Sequence, residues 1–281
     1  MTTQPFFFSP KYLIQLAKAN QQRYAQALPF PHIVIDNFLP TEVLDAVLNE
    51  FPQPEQINWT KFEDTAQVKL ASTTETQLGI ATRLLLHQFN SSVFLNFLET
   101  LTGIDGIIPD PHFAGGGLHQ IVRGGFLKVH VDFNRHFKLR LDRRLNLLLY
   151  LNQNWEESYG GQLELWDRDM TACQTSILPV FNRCVIFNTT DFSFHGHPNP
   201  LTCPPGWTRK SIAIYYYSNG RSIEEVNTEV SNLPHTTLFR DRPNEKQTLL
   251  PKISIKNAIR KFIPPILIDL KEYIRRQLFQ S

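Results

Sequence analysis

From about residue 115 onward, apolar positions alternate with polar ones in short runs rich in β-branched and aromatic side chains, and Gly, Pro, Asn and Asp separate the runs. Alternation of this kind is the period of strands with one buried face. It predicts strands over 117–122, 126–132, 144–152, 162–166, 174–178, 183–188, 193–197 and 208–217. Eight strands of this size suit a jelly roll, whose two facing sheets enclose a cavity open at one end. Earlier in the chain the period is different. Residues 32–36 read as a strand, and Pro40-Thr41-Glu42 opens a helical pattern that runs to Phe51. Between Thr74 and Leu101, Ile80, Leu84, Leu85, Phe89, Phe94 and Phe97 recur at helical spacing around a polar break at Asn90-Ser91-Ser92, so two helices are expected to cover one face of the sheet. After Gly220 helical spacing returns over 253–262 and 266–279, interrupted by Pro264-Pro265. The expected class is α+β, divided as 1–105 (N-terminal strand and helices), 106–222 (jelly-roll core) and 223–281 (C-terminal helical extension).

Composition narrows the function. Hydrophobic residues make up 42% and charged residues 19% of the 281, which argues for a globular chain. A formal net charge of +2 is too small for a nucleic-acid binder. Cys173, Cys184 and Cys203 are irregularly spaced and suggest neither a disulfide framework nor a structural zinc site, so a reduced, cytoplasmic setting is expected. Phe6-Phe7-Phe8 lacks the basic flank of a secretory signal. No segment reaches the ~20 apolar residues of a transmembrane helix. The C-terminal helices carry Lys256, Arg260, Lys261, Lys271, Arg275 and Arg276; they are expected to pack on the sheet or on a second copy of the chain, the other reading being a membrane surface or an acidic partner.

The candidate chemistry lies in the strands. His130 and Asp132 are two residues apart in Leu127-Lys128-Val129-His130-Val131-Asp132 and therefore share a face. Phe194-His195-Gly196-His197-Pro198 brings a further imidazole from a separate strand, and by parity His195 and His197 are equal candidates. Two His and one carboxylate on one face of an octahedral ion leave positions open, the arrangement of non-haem iron(II) oxygenases. In Trp207-Thr208-Arg209-Lys210-Ser211-Ile212-Ala213, the side chains of Arg209, Ser211 and Ala213 share a face. If that face lines the cavity, Arg209 presents a planar fork to a carboxylate and Ser211 adds a hydroxyl. Asn146, Leu148 and Tyr150 likewise share a face, with Tyr150 offering its hydroxyl to the same anion.

Together these residues resemble the prolyl 4-hydroxylase-like branch of the iron(II)/2-oxoglutarate-dependent dioxygenases. The resemblance spans roughly residues 115–220. It is carried by Gly116-Gly117-Leu118-His119-Gln120, the run from Gly124 to Asp132, Tyr150-Leu151-Asn152 with Trp155 and Gly160-Gly161, His195-Gly196-His197-Pro198 and Arg209-Lys210-Ser211. It implies a double-stranded β-helix, with His130, Asp132 and His195 as iron ligands and His195 preferred to His197. It further implies that Arg209, helped by Tyr150, binds the distal carboxylate of 2-oxoglutarate. Dioxygen and 2-oxoglutarate would be consumed, ascorbate would stimulate, and an unactivated C–H bond would be hydroxylated. Asp132 speaks against the halogenases of this fold, which lack the carboxylate. The segment between His195 and Arg209, with Pro198, Pro200, Pro204 and Pro205, is longer than in the animal protein hydroxylases.

The substrate is open to three readings: a small molecule or biosynthetic intermediate, a protein or peptide, and, with no turnover at all, a sugar bound as in cupins. An intact metal set beside Arg209 and Ser211 favours an enzyme. The basic stretch 133–144, with Arg135, His136, Lys138, Arg140, Arg143 and Arg144, would favour an anionic substrate if it borders the cavity mouth. His119 and Gln120 are further candidates for substrate contact.

Overall fold

The computed structural model describes residues 6–228, 233–243 and 245. The N-terminal part runs α1 (Pro10–Ala25), β1 (His32–Ile35), α2 (Thr41–Asn49), the hairpin of β2 (Thr60–Glu63) and β3 (Gln67–Ser72), α3 (Ile80–Phe89), α4 (Ser92–Thr102) and β4 (Ile108–Pro109). The sheet region follows as β5 (Gly117–Val122), β6 (Phe126–Val131), β7 (Asp142–Tyr150), β8 (Leu163–Trp166), β9 (Cys173–Ile177), β10 (Cys184–Asn188), β11 (His195–His197) and β12 (Thr208–Ser218). A short helix α5 (Ile223–Thr228) and a two-residue strand β13 (Leu238–Phe239) complete it. Strands β5 to β12 are the eight that alternation predicts. The helices expected over 253–262 and 266–279 lie outside the described residues, as does any role they have in self-association.

All described strands belong to one curled antiparallel sheet in the order β1-β10-β7-β12-β5-β3-β6-β11-β8-β9, with β13 on β6, β2 on β3 and β4 on β12. Strand β3 joins the two walls: Leu70–Ser72 pair with β5, while Gln67 and Val68 pair with β6. Alternation along the larger wall sorts its side chains by function. Leu145, Leu147 and Leu149 of β7 and Ile212, Ile214 and Tyr216 of β12 face the helices, in one cluster with Leu85, Phe89, Phe94 and Phe97. Full burial of each such side chain contributes ~1.5–3 kcal/mol. The residues between them, Asn146, Leu148, Ser211 and Tyr215 among them, face the cavity.

The helices begin where local chemistry starts them. Ser91 accepts from the Phe94 amide at the head of α4, and Gly103 ends that helix in the left-handed conformation at φ 71°. Glu50, at the end of α2, caps α3 by accepting from the Ala81 and Thr82 amides. Helix α1 has no strong apolar stripe, burying Leu13, Ala17 and Tyr24 only, so periodicity alone does not announce it. The hairpin β2–β3 is equally quiet: its pattern runs from exposed to half-buried until Ala71. Among the described residues no helix is long and apolar enough to cross a membrane, and all three cysteines are free.

Candidate active site

Strands β6 and β11 run antiparallel side by side, with His130 opposite His195. Gly196 permits the approach: a Cβ there would lie 2.8 Å from the carbonyl oxygens of both Leu127 and Lys128. Asp132 leaves the end of β6 on the same face. The structure thereby brings His130, Asp132 and His195 together, with one donor atom from each lying within 4.8 Å of the others, a set able to hold a metal ion. Nε2 of His130 is 3.7 Å and Nε2 of His195 is 3.4 Å from the Asp132 carboxylate.

The surroundings of these three side chains suit metal binding. Nδ1 of His130 lies 2.8 Å from the Lys128 carbonyl and Nδ1 of His195 lies 2.8 Å from that of Ser193. Each carbonyl can only accept, so Nδ1 carries the proton and the Nε2 lone pairs point to the centre. Asp132 Oδ2 accepts from Arg143 at 3.0 Å and from Asn146 Nδ2 at 2.7 Å. Arg143 is itself fixed, with its guanidinium 3.5 Å from the Tyr215 ring centre and 4.3 Å from that of Phe133. Burial works to raise the Asp132 carboxyl, but the Arg143 charge and the two imidazoles outweigh it and hold the group well below the ordinary range. His130 is pushed down, by burial first and by the neighbouring His195 second. An ionised carboxylate and a neutral imidazole are the protonation states in which such groups ligate, and the shifts at Asp132 and His130 both run that way.

Arg209 marks the other end of the same cavity. It is 4% exposed, donates from Nε to the Gly161 carbonyl at 2.8 Å and from Nη2 to the Tyr150 hydroxyl at 3.3 Å, and has no carboxylate partner among the described residues. Gly161, at φ 77°, fits because a Cβ would press within 2.9 Å of the Arg209 side chain. Ser211 lines the cavity one inward position along from Arg209. His197 lines it too, apart from the metal set, with both ring nitrogens buried and unpartnered. Lys69, on β3, also lines the cavity; it is half-buried, with its ammonium 5.0 Å from the Phe62 ring centre and no carboxylate partner among the described residues.

Two expectations need correction. Arg143 and Arg144 do not belong to a basic loop; both are buried in β7, Arg143 against Asp132 and Arg144 against Glu225 and Ser218. His136 is also fully buried, its ring 3.3 Å from Asp110. Gln120, unlike His119, does not line the cavity. It follows His119 on β5 and so takes the other face, where it donates to Thr208. Sequence reasoning passed over Arg143, Asn146 and Lys69. Parity already placed Asn146 on the cavity face, but nothing local signals that Arg143 reaches Asp132.

Residues 116–217 match the family model described as the 2OG-Fe(II) oxygenase superfamily. They form a 2OG-Fe(II) oxygenase domain. No curated protein matches the chain. A prolyl-4-hydroxylase from Pseudomonas putida is similar in fold at 18% identity and a TM-score of 0.52, covering 74% of this chain and 100% of that one. So is a Trichoplax adhaerens prolyl hydroxylase solved with a peptide of hypoxia inducible factor, at 19% identity and a TM-score of 0.51, covering 74% and 90%. A prolyl 4-hydroxylase from Phytophthora capsici matches at 18% identity and a TM-score of 0.52, covering 81% and 75%. The curled sheet is thus the double-stranded β-helix of 2-oxoglutarate oxygenases, and the domain's cofactors are iron(II) and 2-oxoglutarate.

Proposed function

We propose that the oxygenase domain holds iron(II) through His130, Asp132 and His195, seats the distal carboxylate of 2-oxoglutarate on Arg209 with help from Tyr150 and Ser211, and hydroxylates a small molecule that carries an anionic group. The observation that carries the cofactor assignment is Arg209, a buried guanidinium with no carboxylate partner at the end of a cavity that begins at a His-Asp-His set. A cation taken out of water needs an anion, and a planar fork suits a carboxylate. Iron(II) and 2-oxoglutarate, when bound, supply the oxidising power for an unactivated C–H bond. The chain's own part is to orient the ligands through Ser193, Lys128, Arg143 and Asn146, to fix the cosubstrate, and to exclude water.

Charge supports the anionic substrate. Among the described residues lining the cavity, Asp132 is the one carboxylate, and Arg143 already neutralises it. A dicarboxylate cosubstrate matched to the metal and Arg209 leaves Lys69 without a counter-charge. Beyond the wall made by Phe133 and Tyr215, whose ring centres are 6.3 Å apart, lies a second cavity of ≈ 590 Å³ bordered by Arg135, Phe137 and Arg140. Its size suits a small-molecule ligand.

Succinate release with iron(II), ascorbate and 2-oxoglutarate over a panel of small molecules tests the reading. Release is expected for carboxylated or phosphorylated members and absent from His130→Ala. Lys69→Met should raise the KM of a charged member by about tenfold, the worth of one charge-assisted hydrogen bond. Turnover of neutral members or peptides alone would overturn the substrate class and leave the cofactor assignment standing.

A further inference from the structure

Parity in the sequence leaves His195 and His197 equal, and the structure separates them: His195 joins His130 and Asp132, while His197 does not. What remains is a histidine with an unspent hydrogen-bonding capacity. His197 is 3% exposed, and among the described residues neither Nδ1 nor Nε2 has a partner. A buried polar group left without a partner is destabilising. The strand does not require this residue, since β11 is held by its backbone to β6 and β8. The ring also lies where a ligand would complete it, because it lines the cavity together with Arg209, Ser211 and His119. Arg209 lines that cavity as well, so ring and guanidinium face a common space. In either neutral tautomer an imidazole offers one N–H, and in its charged form two, so a donor is available whatever its protonation.

We propose that His197 is a second donor to the distal carboxylate of 2-oxoglutarate, binding it jointly with Arg209. The inference rests on the cosubstrate reading given above and adds to it a residue and a division of labour. Arg209 supplies the charge. Its Nη2 donates to the Tyr150 hydroxyl and so leaves the Tyr150 proton free to point at the same anion. His197 supplies a donor from β11, the neighbouring wall, so the carboxylate is held between β12 and β11 rather than against one strand. That places one contact to the cosubstrate on the strand that carries His195, two residues away.

The test compares 2-oxoglutarate with 2-oxobutanoate, which keeps the 2-oxo acid head and lacks the distal carboxylate. Both are titrated calorimetrically into the full chain loaded with nickel(II) in place of iron. His197→Leu is expected to weaken 2-oxoglutarate on the order of 10- to 100-fold while leaving 2-oxobutanoate unchanged. His197→Gln, which restores an N–H, should recover most of the loss. Arg209→Ala serves as the control for the underlying reading. If Arg209→Ala keeps the preference for 2-oxoglutarate, the reading that Arg209 seats the distal carboxylate falls. If Arg209→Ala abolishes that preference but His197→Leu binds both acids as wild type does, or weakens both equally, the His197 proposal alone is overturned. A measurement on the unaltered chain covers the case of a variant that fails to fold. The ring 15N resonances of His197 should move when 2-oxoglutarate replaces 2-oxobutanoate, and identical spectra would refute the contact.

Discussion

The two ends of the cavity are built on opposite principles. At the metal end the candidate ligands are held by their neighbours: the Nδ1 atoms of His130 and His195 are tied to carbonyls, and Asp132 is tied to Arg143 and Asn146. At the proposed anion end, among the described residues, Arg209 and Lys69 lack carboxylates and His197 lacks any partner. The first end is pre-organised, with its ligand atoms aimed before a metal arrives. The second is left incomplete, so that an anion entering it recovers interactions the protein alone does not make. A metal on three fixed ligands would need the first arrangement, and a dicarboxylate that enters and leaves in every cycle would be served by the second.

The contrast predicts how each end breaks. The largest effect is expected from Asp132→Ala, which removes a candidate ligand atom and leaves the buried Arg143 charge without its carboxylate. Metal affinity should fall by more than the ~10–100-fold typical of an outer-shell partner, and succinate release should reach background; retained metal at stoichiometric loading would refute the assignment. Arg209→Ala comes next. Loss of one member of a buried charged contact costs ~2–5 kcal/mol, or roughly two to three orders of magnitude in the 2-oxoglutarate requirement. Metal content should not change, because Arg209 does not touch the metal set. A fall in metal content equal to that of Asp132→Ala would erase the distinction between the two ends. Asn146→Ala should be smaller again, with metal affinity weakened by ~10-fold or somewhat more and the 2-oxoglutarate requirement barely altered. Dialysis against a chelator and metal titration by calorimetry would rank the first and third of these variants directly.

Legibility in the sequence follows the same line. Alternation is a short-range property, and it is strict where a strand has a helix-packed face and a cavity face, as β7 and β12 do. It therefore puts His130 with Asp132 and Arg209 with Ser211. It fails for contacts made between distant segments. Lys69 lies on a hairpin with no clean alternation and outside the span that matches the family model. Arg143 reads as one basic residue in a basic stretch, and only the rings of Phe133 and Tyr215, from two other segments, turn it inward. Choosing between His195 and His197 needs the bulge between them, where pairing with β6 shifts register. Parity has no access to such an irregularity.

The metal end also draws support from beyond the matched span, and this gives the smallest prediction. Strand β13 pairs with β6 at His130 and Val131, and the Phe239 ring centre lies 5.5 Å from that of His130. The segment leading into β13 is tied down by His235, whose Nε2 is 2.9 Å from Asp191 Oδ1. The hydrogen bond to Asp191 raises His235 above its ordinary value of 6.5, with burial opposing. A raised value in the folded state means that the pair's contribution is fully present below pH 6.5 and is lost as pH climbs through the higher folded value. Both side chains keep some solvent contact, so the contribution is about 1 kcal/mol or less. His235→Ala should therefore lower Tm by up to ~2–4 °C at pH 6 and by less at pH 8.5. If the pair matters to the metal end alone, 2-oxoglutarate affinity at saturating metal should not follow that pH trend in the variant. A Tm gap that is the same at both pH values would show that the arm is held by its backbone pairing with β6 and that the ion pair adds nothing.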